Sequence, residues 1–391
     1  STLGRSSAAS DVYKRQGYVM RVRYPTSVAG TPSTSKDSVI DLFAGPGGLD
    51  VAAHWLGLPV VGVELDADAI ATRHAAGLKS HHRGVQRCTP ADFRATILTA
   101  GPPCQTFTVA GTGRGRSALN TLLLLVKKVA RGEDISKSLS EFDDERTGLV
   151  LEPLKWAFAA YSAGVPYGSL VFEQVPSVLP VWEQMAEALE EIGYRAIPKV
   201  LWTEEYGVPQ TRRRAVLIAR HKSMGGLAAL EPSHARFRRG LPQGTEAPAY
   251  PRCVSMSEAL SLIPKNNRPQ QFELVSNYGS GGVSTNRGVR HSSLPAYTIT
   301  GKANRNRIRG IRGKDYGRLT IQEAGVLQTF PYDYPWRGSN QAQQVGNAIP
   351  PRMGVHILAA ALGREFKRRD LDAAVRRPWA GSFGCIPTRE A

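Results

Sequence analysis

The chain has 391 residues and a formal net charge of +17, and its four cysteines form no CxxC pair. That cysteine usage argues against a zinc site and a disulfide scaffold, and no stretch has the apolar length needed to cross a bilayer. Residues 221–318 hold 16 Lys and Arg against 5 Asp and Glu. Such a concentrated basic excess predicts a polyanionic partner, nucleic acid first, because arginine richness alone would not cluster.

The first residues predict a leader rather than part of a fold. Arg5–Gln16 resembles a translated sequencing adapter, so we treat residues 1–19 as artefactual. The following residues, to 36, are rich in Ser, Thr, Pro and Gly, a composition typical of a flexible segment.

Residues 39–64 predict the opening of a doubly wound α/β domain that holds an adenosine. A short apolar strand at 39–43 is followed by a glycine-rich turn, a helix at 49–56 and a second strand at 59–64. Another helix is expected from about Ala67. The glycines allow close backbone approach, and Glu64 can accept hydrogen bonds from ribose hydroxyls. The chain lacks GxGxxG and GxxxxGK[ST], which disfavours a dinucleotide or triphosphate site.

A stiff loop follows the predicted strand at 97–100. Its sequence is Gly101-Pro102-Pro103-Cys104-Gln105, and the two prolines fix the backbone just before the thiol. This arrangement predicts a nucleophilic cysteine, with a buried core cysteine as the alternative. The polar, glycine-rich stretch 105–115 suits a mobile loop, and a helix is expected from Ser117 to about 131, ending at Gly132.

The second half of the chain alternates buried strands with a basic segment. A strand at 170–172 ends at Glu173, and a strand at 215–219 follows Gln210-Thr211-Arg212-Arg213-Arg214. Residues 221–296 lack periodicity and predict a separate, irregular small domain. Leu319–Phe330 predicts a helix with a capping box of Thr320 and Glu323, and an apolar helix is expected at 353–362.

Six motifs stand in a fixed order, namely DLFAGPGGLD, GPPCQTFT, FEQVPSVL, QTRRR, RLTIQEAGVLQTFP and QVGNAIPP. Together they resemble the cytosine-C5 DNA methyltransferase family of prokaryotic type, over about residues 38–362 apart from the basic segment. The resemblance implies a doubly wound, Rossmann-like α/β methyltransferase domain with a smaller, irregular basic target-recognition domain.

The same resemblance implies a division of the chain into four parts. The leader covers 1–36, the S-adenosylmethionine-binding catalytic domain 37–220, and the target-recognition domain 221–317. A return segment covers 318–391, and its helix at about 350–363 is expected to pack back on the catalytic domain ahead of a basic tail.

The motif residues make chemical sense together. Cytosine C5 is a weak nucleophile, but addition of the Cys104 thiolate to C6 turns C5 into an enamine-like carbon that can take a methyl group. Glu173 would protonate or hydrogen-bond N3. One or both of Arg212 and Arg214 would bond the base O2 and orient Glu173, and surface arginines are the alternative. The base must first rotate out of the duplex.

By resemblance, S-adenosylmethionine is the cofactor, with no metal. Glu64 would bind its ribose, Asp92 its adenine amino group, and Pro102 would shape the floor of the pocket; a plain turn residue is the alternative for Asp92. The expected cofactor residues are Phe43, Gly45, Gly47, Glu64, Asp92, Pro102 and Asn347.

The expected DNA contacts are Gln105, Lys302, Arg305, Arg307 and Arg309. A solvated charged face is the alternative for the last four. Two residues depart from the family pattern: Gln174 stands where Asn is usual after the catalytic Glu, which bears on how the Cys104 loop is tethered, and Thr108 replaces the commoner Ser.

The predicted function is sequence-specific methylation of double-stranded DNA by a monomeric, cytoplasmic enzyme that associates with the nucleoid and has no membrane partner. A cognate restriction endonuclease would be a genetic partner, unless the enzyme is solitary. RNA cytosine-C5 methylation and a catalytically silent DNA-binding homologue are the alternatives. The intact Cys104, Glu173, Arg212 and Arg214 argue against the silent homologue.

Overall fold

The computed structural model describes residues 31–33, 36–103, 113–240, 250–279 and 287–391. Its larger sheet has seven strands in the spatial order β3-β2-β1-β4-β5-β7-β6. These strands are β1 (Val39–Leu42), β2 (Val60–Glu64), β3 (Lys79–His82), β4 (Ile97–Ala100), β5 (Ser169–Gln174), β6 (Tyr194–Trp202) and β7 (Arg213–His221). The strands from β3 to β5 pair in parallel, whereas β7 runs antiparallel to both β5 and β6.

Helices cover both faces of this sheet, which is why β1, β4 and β5 are buried along their whole length and read as nearly continuous apolar runs. One face packs on the helix that follows β1 and on the apolar helix Pro351–Ala361 of the return segment. The other face packs on the helices between β4 and β6. The helices of this domain are α1 (Gly48–Trp55), α2 (Ala67–Ala75), α3 (Gly113–Ala130), α4 (Ser136–Ser140), α5 (Glu152–Ser162) and α6 (Leu179–Glu191).

A second, smaller sheet lies in the basic segment. Its four antiparallel strands have the order β11-β10-β8-β9, so the segment expected to be irregular contains regular structure. A short helix, α7, precedes the sheet. The elements are α7 (Met256–Leu260), β8 (Phe272–Gly279), β9 (Arg287–His291), β10 (Arg307–Gly310) and β11 (Asp315–Arg318).

The return segment brings the chain back to the larger sheet. Its helix α10 packs against α1, as expected for the segment at about 350–363. Two short helices, α8 and α9, precede α10, and a pair of short strands with one helix between them follows it. These elements are α8 (Ile321–Leu327), α9 (Gln341–Asn347), α10 (Pro351–Ala361), β12 (Arg364–Phe366), α11 (Arg368–Arg376) and β13 (Thr388–Glu390).

Most expected elements form, with shifts at their ends. The capping box of Thr320 and Glu323 is present at the start of α8, because each side chain accepts from the other's main-chain N–H. The helix expected to start at Ser117 begins four residues earlier, at Gly113, so that end of the prediction was wrong. In the described part of the chain, no helix is long and apolar enough to cross a membrane.

Candidate active site

A cavity of about 330 Å³ opens at the carboxyl ends of the parallel strands. It lies where the connections from β1 and β4 leave in opposite directions, the position at which open α/β sheets bind ligands. Phe43 and Gly45 after β1, Glu64 at the end of β2, and Pro102 and Pro103 after β4 all line it. Residues of five of the six motifs therefore meet at one cavity.

The glycine turn after β1 is held by the acidic end of β2. Gly45 N–H donates to Oε2 of Glu64 at 2.7 Å, and the N–H groups of Leu65 and Asp66 both donate to Oε1 at 2.7 Å. Burial raises the pKa of Glu64 above its ordinary value, and these three hydrogen bonds oppose that shift. Since a carboxylate oxygen has two lone pairs, Oε2 retains capacity for a further donor from a ligand.

The two expected cofactor glycines act differently. Gly45 has φ +54° and open space where a Cβ would stand, on the cavity side of the turn. Gly47 has φ +105°, and a Cβ there would lie 2.5 Å from Leu78 and 2.9 Å from the Tyr334 hydroxyl. Gly45 thus leaves room for a ligand, whereas Gly47 makes room for packing behind the turn.

Glu173 and Arg214 form a buried ion pair in the cavity wall. Arg214 Nε lies 2.7 Å from Glu173 Oε1, and both side chains are largely buried. Burial raises the pKa of Glu173, while Arg214 and then Arg212 lower it. The net shift of the Glu173 pKa is upward, the direction that favours a group able to supply a proton to a substrate.

Arg212 has a different position from Arg214. Its guanidinium donates to the carbonyls of Ile299 at 2.7 Å, Gly346 at 2.9 Å and Ala348 at 3.3 Å. It is 2 % exposed and is not among the described residues that line the cavity. Of the two arginines expected at the base, Arg214 lines the cavity, whereas Arg212 fastens the basic segment and the return segment to the start of β7; contact of Arg212 with the base stays a prediction.

Gln210 performs a similar joining role in the same motif. Its amide donates to the carbonyl of Leu327 and to Gln328, and it accepts from the N–H of Ile299. The QTRRR motif therefore contains two joint residues and one cavity residue, Arg214.

Asp92 is also displaced from its expected position. Its carboxylate accepts from the N–H of Thr89 at 2.7 Å, in the capping box of a short 3₁₀ turn at Pro90–Asp92. It borders a different cavity, formed by the amino ends of β1 and β2, and the expected contact with adenine is corrected on that ground. The cavity at the carboxyl ends is lined instead by residues 83–86, which follow β3.

Asn347 lines the cavity as expected, and it brings neighbours that sequence reasoning missed. The side chains of Asn340, Gln343 and Gln344 from the start of α9 also line the cavity, together with Leu149 from the turn before α5. The amide-rich run at 340–344 was the available signal. Its last residue, Gln344, opens the motif QVGNAIPP.

Gln174 reaches the loop that carries the predicted nucleophile. Its amide nitrogen donates to the carbonyl of Pro102. Pro102 and Pro103 line the cavity, but Cys104 and Gln105 lie outside the described residues. The longer side chain at position 174 therefore still tethers the start of the loop.

The predicted phosphate contacts lie in and just before β10 of the smaller sheet, with Lys302 and Arg305 in the turn that precedes the strand. Lys302, Arg305, Arg307 and Arg309 are all exposed. Arg307 forms an ion pair with Asp315, and Arg309 forms one with Glu273 at 2.8 Å, so two of the four charges have protein partners. Their contact with DNA stays a prediction.

Comparisons with known proteins identify the family of the chain. The family model described as C-5 cytosine-specific DNA methylase matches residues 38–129, 171–243 and 256–362. The type II methyltransferase M.AplI of Arthrospira platensis is 25 % identical over 345 residues, covering 84 % of this chain and 85 % of its own. M1.HphI of Haemophilus parahaemolyticus is 26 % identical over 358 residues, covering 83 % and 86 %.

Solved structures support the fold. The Dnmt2 methyltransferase of S. pombe matches with a TM-score of 0.53 and 16 % identity, covering 84 % of this chain and 98 % of its own. A putative DNA modification methyltransferase encoded within an E. coli prophage matches with a TM-score of 0.52 and 17 % identity, covering 83 % and 98 %. The family, the fold class and the activity predicted from the six motifs are confirmed: the chain belongs to the C-5 cytosine-specific DNA methylase family and is a DNA cytosine-C5 methyltransferase.

Proposed function

We propose that the chain methylates C5 of a cytosine rotated out of double-stranded DNA, with Cys104, Glu173 and Arg214 acting on the base and S-adenosylmethionine held in the cavity beside them. The proposal is carried by one observation: the buried Glu173–Arg214 pair shares a cavity with the glycine turn and with the Pro102–Pro103 start of the cysteine loop.

The cavity residues fit this cofactor. Glu64 presents a carboxylate oxygen at the end of β2 for a ribose hydroxyl, and the space beside Gly45 admits a ligand close to the main chain. Phe43 offers an aromatic ring and Asn347 an amide from the opposite wall. The bound cofactor supplies an electrophilic methyl group on a sulfonium.

The residues of the chain would prepare the base to accept that methyl group. The Cys104 thiolate adds to C6, Glu173 supplies a proton or a hydrogen bond to N3, and Arg214 holds Glu173 in place and bonds the base O2. Once C5 carries the methyl group, loss of the C5 proton and β-elimination at C6 release Cys104. Each bond formed to the enzyme is thus broken again, and the thiol is regenerated.

We further propose that residues 221–317 read the DNA sequence. The segment carries the basic excess and contains the small sheet, and Arg212 and Gln210 join it firmly to the strand that bears Arg214. Because the relatives are type II methyltransferases, a cognate restriction endonuclease is the expected genetic partner.

A covalent trap tests the nucleophile. Bisulfite sequencing of DNA from cells that express the chain identifies the target, and a duplex with 5-fluorocytosine at that position is then incubated with enzyme and S-adenosylmethionine. Fluorine at C5 cannot leave as a proton does, so a denaturation-resistant adduct should accumulate. Cys104→Ser should abolish both adduct and turnover, whereas the matched variant Cys385→Ser should retain both. An adduct formed by Cys104→Ser would overturn the assignment.

A further inference from the structure

An arginine–tryptophan cluster lies at the same edge of the large sheet as Glu173. Trp202 ends β6 and pairs with Arg213, the first residue of β7. The Arg213 guanidinium lies 5.0 Å from the centre of the Trp202 ring, and that of Arg236 lies over the ring at 3.3 Å. Trp202 is half-buried, whereas both arginines are exposed.

We propose that Trp202, Arg213 and Arg236, the Trp202 cluster, bind backbone phosphates of the DNA strand next to the target cytosine. The inference rests on the DNA methyltransferase function and adds a sequence-independent contact surface where the end of β6 and the start of β7 meet the first part of the basic segment, which carries Arg236. It is distinct from the predicted contacts at Lys302, Arg305, Arg307 and Arg309, which lie in and just before β10.

The position of the cluster fits a strand that passes the active site. The strands β5, β7 and β6 are adjacent, and β6 ends at the edge where Glu173 stands in β5. Two strand spacings amount to about 10 Å. Trp202 also stands three residues, about 10 Å, beyond the level of Glu173 along the strands. Since one strand of a duplex carries a phosphate about every 3.4 Å along the axis, the combined distance of about 14 Å places the cluster within about four nucleotides of Glu173 and Arg214.

The charges around the cluster favour an anion. In the described part of the chain, neither Arg213 nor Arg236 has a carboxylate within 4.0 Å. The half-buried Glu205 interacts electrostatically with Arg236. Burial raises the pKa of Glu205, and Arg236, then Lys199 and Arg238, lower it. The fully buried Glu204 is a second acid that interacts electrostatically with Arg236. The basic groups Arg213, Arg236, Lys199 and Arg238 outnumber these two acids, so the surface is positive.

Stacking prepares the guanidinium groups for phosphate. A guanidinium that lies flat on an aromatic ring keeps its in-plane N–H groups directed outward, where they can bond phosphate oxygens. Because the ring already restricts the side chain, less conformational entropy is lost on binding than for a free surface arginine. The alternative is that the arginines only cover Trp202 and stabilise the end of β6.

The salt dependence of DNA binding distinguishes these two roles. Fluorescence anisotropy measures binding of a mixed-sequence duplex of about 30 base pairs between about 50 and about 200 mM salt. The double variant Arg213→Gln with Arg236→Gln should lower the slope of log affinity against log salt by about 2, since each lost phosphate contact removes about 0.9. The corresponding lysine pair should retain most of the slope.

A matched pair of exposed arginines serves as control. Arg195 lies at the opposite end of β6, and Arg389 lies in β13. Arg195→Gln with Arg389→Gln removes the same charge and should leave the slope unchanged. If the first double variant melts too low to assay, Arg213→Gln alone, whose guanidinium lies further from the ring, should lower the slope by about 1.

Each outcome counts for or against the cluster. An unchanged slope in a folded variant, or an equal fall in the control pair, would overturn the proposal and leave the stack as a structural cover or a site for another partner. The assay contains no methyl donor and needs no turnover. Absence of methylation by the wild type would therefore contradict the proposed function without affecting this result.

Discussion

Two buried glutamates lie near the same edge of the large sheet, and their surroundings differ. Glu173 at the end of β5 has Arg214 at 2.7 Å. Glu204, in the turn after β6, is fully buried, and the groups that lower its pKa are its own main-chain N–H, that of Arg212 and, electrostatically, Arg236. Burial raises the pKa of both, and for Glu204 the result is about 7.

The difference shows that burial alone does not make a carboxyl group catalytic. Glu173 opens onto the cavity and has a counter-ion that opposes the upward shift of its pKa, and it is the group that we propose exchanges a proton with a bound base. Glu204 faces Arg236 only at longer range and is not among the described residues of that cavity. Its raised pKa is a property of the folded state that affects stability rather than chemistry.

The largest expected effect comes from Glu173→Gln. The amide keeps the shape of the side chain but cannot supply the carboxyl proton, and Arg214 loses its counter-ion. We expect turnover to fall by about 10²- to 10⁴-fold, measured as transfer of a labelled methyl group to DNA. Glu183→Gln, on the exposed face of α6, is the matched control. Turnover within about threefold of wild type would remove the proton-donor role of Glu173.

Glu204→Gln should change the pH dependence of folding stability, whereas Glu173→Gln should change turnover. Because the folded pKa of about 7 exceeds the ordinary 4.5, the wild type binds more protons folded than unfolded in this window, and stability is lost as pH rises through 7. Between pH 5 and pH 8 this loss is about 2 to 3 kcal/mol. Urea unfolding at both pH values should show it in the wild type and in Glu183→Gln but not in Glu204→Gln. An equal pH dependence in all three would show that Glu204 does not titrate in this range.

The smallest effect is expected from Gln174→Asn, beside Glu173. The shorter side chain weakens the hydrogen bond to the Pro102 carbonyl. Loss of one such bond is worth about 1 kcal/mol, or about fivefold in turnover. Gln184→Asn on α6 provides the control. A loss as large as that of Glu173→Gln would mean that Gln174 takes part in the chemistry and does more than tether the loop.

Much of the site was predictable from sequence because its residues follow strands directly. Phe43, Gly45, Glu64 and Pro102 each stand at or just after the carboxyl end of a parallel strand, and such ends meet at one edge of the sheet. Asn347 was identified by its motif, and it ends α9, whose residues line the same cavity. Short strands bounded by glycine and proline have strong local signals, and so the domain that holds them was predicted as well.

Side-chain direction and long-range contact were decided only by the tertiary structure. Arg212 and Arg214 look equivalent in the motif, but one bonds carbonyls up to 136 residues away and the other pairs with Glu173. Asp92 satisfied its carboxylate within its own turn, while residues 83–86 and the amides at 340–344 took the cavity. The sequence by itself determined where the strands lie and which motifs follow them, since strand formation depends on local propensity. The partners of each polar group depend on what packing brings within 3 Å, which no local pattern contains.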